Sequence, residues 1–279
     1  MELSEAIAKS IDLLVKGEAL ALSLNPSEGY HLAFSGGKDS QVLLSLAQLA
    51  GVRFQAYYNV CGLDSPENIY FIRKHYPYVK WLHPKEKIIP LIRKKGLPTM
   101  NRRYCCERTK ESQGKGCVVL TGVRADESSK RAKYAAIEIL SRRVEHQGKD
   151  RARTEEWLKE TEHECIKGQD RVLVRPMLHW TESMVWDYIQ KNKIPVNPCY
   201  ANSGRVGCMF CPFSSKEEIE RCEHENPGFY RAILRALKTY WNKTDEHELS
   251  TPFEYYNWWK SKKSLAAFKS ATHAMPSNG

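Results

Sequence analysis

The chain has 279 residues, 42% hydrophobic and 10% aromatic, enough to bury a core and to exclude a globally disordered polymer. Its 43 lysines and arginines against 33 aspartates and glutamates give a formal charge of +10, which suits anionic partners such as nucleotides or nucleic acid, or simply a solvated basic surface. Mean hydropathy is −0.56, and Asp12, Lys16 and Glu18 break the most apolar early stretch, so a cytoplasmic protein with no membrane partner and no secretory leader is expected.

Ile7, Ile11, Leu14 and Val15 recur at helical spacing and predict a helix over residues 3–23. Residues 30–34 read as a buried strand, 35–37 as a tight turn and 39–50 as a helix. A second strand over 52–58, a helix over 66–75, a third strand over 79–82 and a helix over 86–95 follow. Further strands are expected over 117–121 and 172–174. This alternation indicates an α/β fold, a doubly wound, mainly parallel five-stranded sheet with helices on both faces. Residues 141–170 interrupt it as a charged surface excursion, helical around 154–164. Helices over 181–191, 216–223 and 227–241 bracket a Pro/Asn/Gly-rich loop over 194–212. The expected organisation is one domain over 1–213, a helical C-terminal extension over 214–261 and a flexible tail over 262–279.

Ser35-Gly36-Gly37-Lys38-Asp39-Ser40 lies between a predicted strand and a predicted helix. Glycines there let backbone amides approach an anion, and the helix N-terminus adds unpaired N–H groups and a positive dipole end. Ser35 and Ser40 offer hydroxyls, Lys38 can neutralise a phosphate, and Asp39 can help to hold Mg²⁺. The GxxxxGK[ST] spacing is absent, since Leu32 stands where its first glycine would and Asp39 follows the lysine. The plain alternative is an ordinary βα turn.

The nine cysteines include an adjacent pair, Cys105-Cys106, and a C-x-x-C, Cys208-Met-Phe-Cys211. In a reducing compartment this pattern favours ligation over a disulfide framework, and four thiolates in two close pairs suit Zn²⁺ or an iron–sulfur cluster. Adjacent cysteines on one ion strain the backbone, which favours the cluster. Cys61 and Cys117 read as small core residues, Cys165 lies outside the pattern, and Cys199 and Cys222 flank the C-x-x-C as candidate sulfur carriers. Arg93, Lys94, Lys95, Arg102 and Arg103 precede the cysteine pair, where they could offset cluster charge, meet substrate phosphates or form a solvated face.

The hexapeptide after an apolar strand resembles the PP-loop of the ATP pyrophosphatases, within the adenine nucleotide α-hydrolase-like fold. Three more segments resemble the phosphoadenosine phosphosulfate (PAPS) reductase-like branch. They are Asn59 to Phe71 with Gly62, Pro66 and Glu67; Thr121-Gly-Val-Arg-Ala-Asp-Glu-Ser128; and Arg175-Pro-Met-Leu-His-Trp180 followed by Val185-Trp186. The resemblance implies that Ser35, Gly36, Gly37, Lys38, Asp39, Ser40, Gly122 and Arg124 bind ATP with Mg²⁺, with Lys38, Asp39 and Arg124 serving catalysis. For Arg124 the alternative is a surface pair with Asp126 or Glu127. Trp180 and Trp186 are expected to pack the following helix. The paired cysteines are similar to the CC…CxxC motif of the adenylylsulfate reductases. That similarity implies a [4Fe–4S] cluster on Cys105, Cys106, Cys208 and Cys211, with Zn²⁺ as the alternative.

Sulfonucleotide reductases of this family end in a Glu-Cys-Gly-Leu-His segment and usually carry a degenerate phosphate loop. Here no cysteine follows Cys222 and the loop is intact. An intact loop with paired cysteines resembles sulfur-insertion enzymes such as the DNA phosphorothioation ATPases. The expected function is therefore ATP-dependent adenylation of an acceptor, followed by sulfur transfer supported by the cluster. The sulfur donor would be a cysteine desulfurase or a thiol protein. A sulfonucleotide reductase and a non-catalytic nucleotide-binding adaptor are the alternatives. Tyr255-Tyr256-Asn-Trp258-Trp259 could stack nucleic-acid bases or form the packing face of a C-terminal helix.

Overall fold

The computed structural model describes residues 1–109, 114–140, 152–159, 171–243 and 248–273. Helix α1 (Leu3–Leu24) leads into β1 (Tyr30–Phe34), α2 (Lys38–Leu49), β2 (Phe54–Asn59), α3 (Pro66–His75), β3 (Lys80–Leu82) and α4 (Ile88–Lys95). A short α5 (Tyr104–Thr109) precedes β4 (Val118–Leu120), β5 (Ile137–Leu140), β6 (Ala152–Arg153) and β7 (Arg171–Val174). Then come α6 (Glu182–Lys191), α7 (Cys199–Ser203), α8 (Lys216–Glu225), α9 (Pro227–Trp241), α10 (Pro252–Ser261) and α11 (Leu265–His273). Among the described residues no helix is long and apolar enough to cross a membrane.

The strands form one sheet in the order β3-β2-β1-β4-β7-β5-β6, with helices on both sides. The first five in that order are the expected strands and run parallel, with Tyr30 opposite Phe54, Leu32 opposite Leu120 and Val118 opposite Val172. The sheet has seven strands rather than five, because β5 pairs antiparallel with β7 and β6 with β5. Strand β5 hides in the sequence because Glu138 sits between Ile137 and Ile139. That carboxylate is buried because the Arg175 guanidinium stands 2.8 Å away. Strand β6 is two residues long and shows no apolar alternation. It falls within the expected excursion over 141–170, of which only 152–159 is described, with a short 3₁₀ turn at Glu156–Lys159.

The chain divides into two units. The first comprises Met1–Asn59, Pro66–Leu82 and Ser112–Val206; the second comprises Val60–Ser65, His83–Glu111 and Gly207–Gly279. In the first unit, Trp180 is buried and donates its indole N–H to Ser10 Oγ at 3.0 Å, while Ser10 Oγ donates to the Pro176 carbonyl at 2.7 Å. Tyr30 hydroxyl donates to the Leu14 carbonyl at 2.7 Å, so α1 is tied to β1 and to the segment after β7 by buried hydrogen bonds.

The second unit is discontinuous in sequence where a break at residue 213 was expected. Leu91 and Ile92 of α4 share one apolar core with Ile233, Ala236 and Leu237 of α9 and with Tyr256 and Trp259 of α10. An early helix thus completes a core that the C-terminal helices could not close alone. Tyr256 donates to Glu223 at 2.7 Å and Trp259 to the Pro98 carbonyl at 2.6 Å, so these aromatics are a packing face. The tail expected to be loose carries α11, and residues 274–279 lie outside the described ones.

Candidate functional site

In the first unit the sheet itself marks a site. From β1 the chain winds to β2 and β3 on one side, then returns to β4 on the other, so the crossover direction reverses between β1 and β4. Ligands of open α/β sheets bind outside the strand C-termini at such a switch point. The loop Ser35–Lys38 follows β1 there, and Thr121–Arg124 follows β4.

The loop is built by its own hydroxyls and two buried asparagines. Ser40 Oγ donates to the Gly37 carbonyl at 2.8 Å, and Ser35 Oγ meets Ser40 Oγ at 3.1 Å and accepts from Gly37 N–H at 3.3 Å. Asn197 donates to the Gly36 carbonyl at 2.9 Å and to Asn68 Oδ1 at 2.7 Å, while Asn68 donates to the Ser35 carbonyl at 3.1 Å. Gly36 has φ +78°, and a Cβ there would stand 2.4 Å from Asn68 Oδ1, so a side chain is excluded twice over. Gly122 is required for a different reason. A Cβ on it would lie 2.9 Å from the Asp39 carbonyl, which is how closely the loop after β4 passes the first turn of α2.

The charged groups form one network. Arg124, 1% exposed, brings Nε to 2.6 Å from Asp39 Oδ1, with its other nitrogens 3.3 Å from Asp126 and 3.7 Å from Glu182. Burial alone would lower the pKa of this guanidinium, but Asp39, Glu127 and Glu182 raise it above the ordinary value. Arg124 is thus a buried counter-ion that holds Asp39, not a surface arginine. Lys38 Nζ lies 3.5 Å from Asp39 Oδ2 and 3.6 Å from Glu182 Oε1. It also stands over the rings of Trp186 and Tyr200 at 6.0 and 5.5 Å. Two cations therefore face three carboxylates, a balance that favours a divalent cation accompanying any phosphate.

Tyr200 did not stand out in the sequence. Its hydroxyl, with a pKa pushed up to about 12 chiefly by burial, accepts the Lys38 N–H at 2.8 Å. That N–H opens α2 and is one of the groups a phosphate would take. Thr121 Oγ1, at the end of β4, is buried with no hydrogen-bond partner. An orphaned hydroxyl and a helix N-terminus beside a switch point fit a bound nucleotide. Glu182, Asn68 and Asn197 were also missed, since each lies far from the loop in sequence. Trp186 stands against Lys38 and Tyr200 and so belongs to this site.

The second unit carries a separate thiol cluster. Cys105 and Cys106 lie on α5, and the Cys105 thiol is pushed well above the ordinary range by its hydrogen bond with Cys106, by burial, and by the charges of Cys106 and Cys208. Cys61 is a buried core residue, as expected, and its Sγ also stands 3.2 Å from Cys208 Sγ, beside a turn in which Gly62 takes φ +84°. Phe210 takes a left-handed φ of +51° inside that motif, curling the chain between Cys208 and Cys211. The thiol set suits a thiophilic metal centre. Lys95, Arg102 and Arg103, with Asn101, Tyr104 and Glu107, line an open pocket of about 640 Å³ beside the cysteine pair. Cys222 is half-buried at the core of this unit, and Cys165 lies outside the described residues.

The family model described as the phosphoadenosine phosphosulfate reductase domain matches residues 29–214. The uncharacterized protein MJ0066 of Methanocaldococcus jannaschii is 26% identical over 246 residues, covering 83% of this chain and 45% of its own. Sulfate adenylyltransferase subunit 2 of Rhizobium tropici is 30% identical over 181 residues, 61% of this chain and 56% of its own. The chain spans about half the length of the curated relatives it matches. Among solved structures, phosphoadenylyl-sulfate reductase from Candida auris aligns with a TM-score of 0.43 at 17% identity, over 72% of this chain and 93% of that one. Candida glabrata FMN adenylyltransferase aligns with a TM-score of 0.45 at 14% identity, over 78% and 73%.

Proposed function

This chain belongs to the phosphoadenosine phosphosulfate reductase domain family, and from that premise we propose that it is an ATP pyrophosphatase-type enzyme of sulfur metabolism. The observation that carries the reading is the intact Ser35–Ser40 loop at the sheet switch point, with the opening amide of α2 held by a tyrosine hydroxyl. An acceptor oxygen attacks the α-phosphorus of ATP, the bond to the bridging oxygen of the β-phosphate breaks, and pyrophosphate leaves. A sulfur nucleophile then displaces AMP from the adenylated acceptor. Lys38 meets the phosphate charge as it develops, Asp39 holds Mg²⁺, and Arg124 fixes the Asp39 carboxylate in place. Ser35 and Ser40 keep the loop amides convergent, and Gly122 allows the close passage that shapes the floor.

The sulfur half of the reading rests on the second unit. A thiolate-held centre drawing on Cys105, Cys106, Cys208 and Cys211, a [4Fe–4S] cluster or Zn²⁺, would bind sulfur there. A cysteine desulfurase or a thiol protein is the proposed donor. The basic pocket of Lys95, Arg102 and Arg103 suits an anionic acceptor, nucleic acid included.

The test is pyrophosphate release from ATP·Mg²⁺ with candidate acceptors. Turnover should fall more than about 100-fold in Lys38→Ala, the scale on which losing one preorganised donor to a developing oxyanion lowers kcat. ATP binding with no pyrophosphate release from any acceptor would favour the adaptor reading. Thiol-dependent sulfite release from an adenylylsulfate, without ATP turnover, would favour the reductase.

A further inference from the structure

Residues 60–65 belong to the second unit although they directly follow β2. What fixes them is a short antiparallel bridge between Asp64 and Cys208, reinforced by Met209 N–H donating to the Leu63 carbonyl at 2.8 Å. Asp64 Oδ2 in turn accepts the N–H groups of Cys61 and Gly62, both at 2.9 Å, so the turn is locked around its own carboxylate. The Cys61 sulfur accepts the Leu63 N–H at 3.3 Å. Cys61 and Asp64 are 6% and 7% exposed, and the donor atoms of Cys61, Asp64 and Cys208 all lie within 4.8 Å of one another.

From this geometry we propose that Cys61 is a metal ligand, sharing one thiophilic divalent ion with Cys208 and Asp64. Two thiolates on one tetrahedral ion lie about 3.8 Å apart at metal–sulfur bonds of ~2.3 Å. The 3.2 Å separation of Cys61 and Cys208 needs to open by about 0.6 Å to match. Ligands of a four-iron cluster each take a separate iron and stand farther apart, so this pair suits a single ion better than two corners of a cube. The inference deepens the metal-centre half of the proposed function and does not involve ATP.

The experiment is an anaerobic titration of the reduced, metal-free full chain with cobalt(II), read by sulfur-to-cobalt charge transfer and tetrahedral d–d absorbance. One cobalt should bind per chain. Cys61→Ser should weaken binding more than about 100-fold and reduce the charge-transfer intensity by one thiolate's share, since even outer-shell losses cost 10- to 100-fold. Asp64→Asn should weaken binding while leaving the thiolate intensity unchanged. Far-UV circular dichroism, and ATP binding by the first unit, check that each variant is folded. One result that overturns the assignment is a folded Cys61→Ser protein with the parent's affinity and spectrum. Another is a protein purified anaerobically with four irons and four sulfides per chain that Cys61→Ser retains. ATP turnover enters none of these readouts, so failure here leaves the pyrophosphatase reading to its own test.

Discussion

Replacing Tyr200 by phenylalanine isolates one hydrogen bond at the mouth of the phosphate loop. The hydroxyl accepts the Lys38 N–H at 2.8 Å and does nothing else to the loop backbone, while the ring keeps its contacts with Trp186 and with the Lys38 ammonium. If the hydroxyl is a placeholder, a phosphate must displace it, and the hydrogen bond given up opposes binding. Such a bond contributes about 0.5–1.5 kcal/mol net, so its removal should tighten ATP·Mg²⁺ between about 2-fold and about 10-fold. The free protein should lose a similar amount of stability, because the Lys38 amide is left to water. Isothermal titration calorimetry gives the affinity, and urea unfolding of the free protein gives the cost. Unchanged or weaker ATP binding in a folded Tyr200→Phe protein would refute the reasoning. It would mean that the hydroxyl remains in place beside the nucleotide, or that the phosphates do not use the opening turn of α2.

Two further outcomes follow from buried charge. Asp39→Asn leaves Arg124 in place without its nearest counter-ion and should destabilise the protein by about 3 kcal/mol, the low end for a broken buried pair because Asp126 and Glu182 remain; urea unfolding measures it. His31, stacked on Tyr57, has its pKa lowered from 6.5 to about 4 by burial, which Glu28 only partly opposes. The unfolded chain therefore binds a proton below pH 6.5 that the folded chain refuses until about pH 4, so stability falls as pH drops through that window. The loss approaches about 3 kcal/mol, and His31→Phe should flatten that slope in pH-dependent unfolding.

Much of the first unit was legible because its signals are local. An apolar strand, a Gly-Gly turn and a helix that begins at Lys38 occupy consecutive residues, so the loop and its five parallel strands follow from short-range chemistry. The edge strands β5 and β6 were not legible. A buried Glu138 looks polar until Arg175, 37 residues away, neutralises it. The groups that finish the loop, Asn68, Asn197 and Tyr200, were invisible for the same reason, since an asparagine or tyrosine declares its role only by what it meets.

The charge of +10 and the nine cysteines divide along that line. The sequence by itself determined that a phosphate loop exists, which residues compose it, and that paired thiols are present, because each depends on neighbours in the chain. Only the tertiary structure decided that Arg124 is spent on Asp39 and that Lys95, Arg102 and Arg103 line one pocket. It also decided that Cys61, which sequence spacing leaves with the core, faces Cys208 across 3.2 Å. Counter-ions and ligand sets are properties of distance in space, and a chain's order fixes those distances only after it has folded.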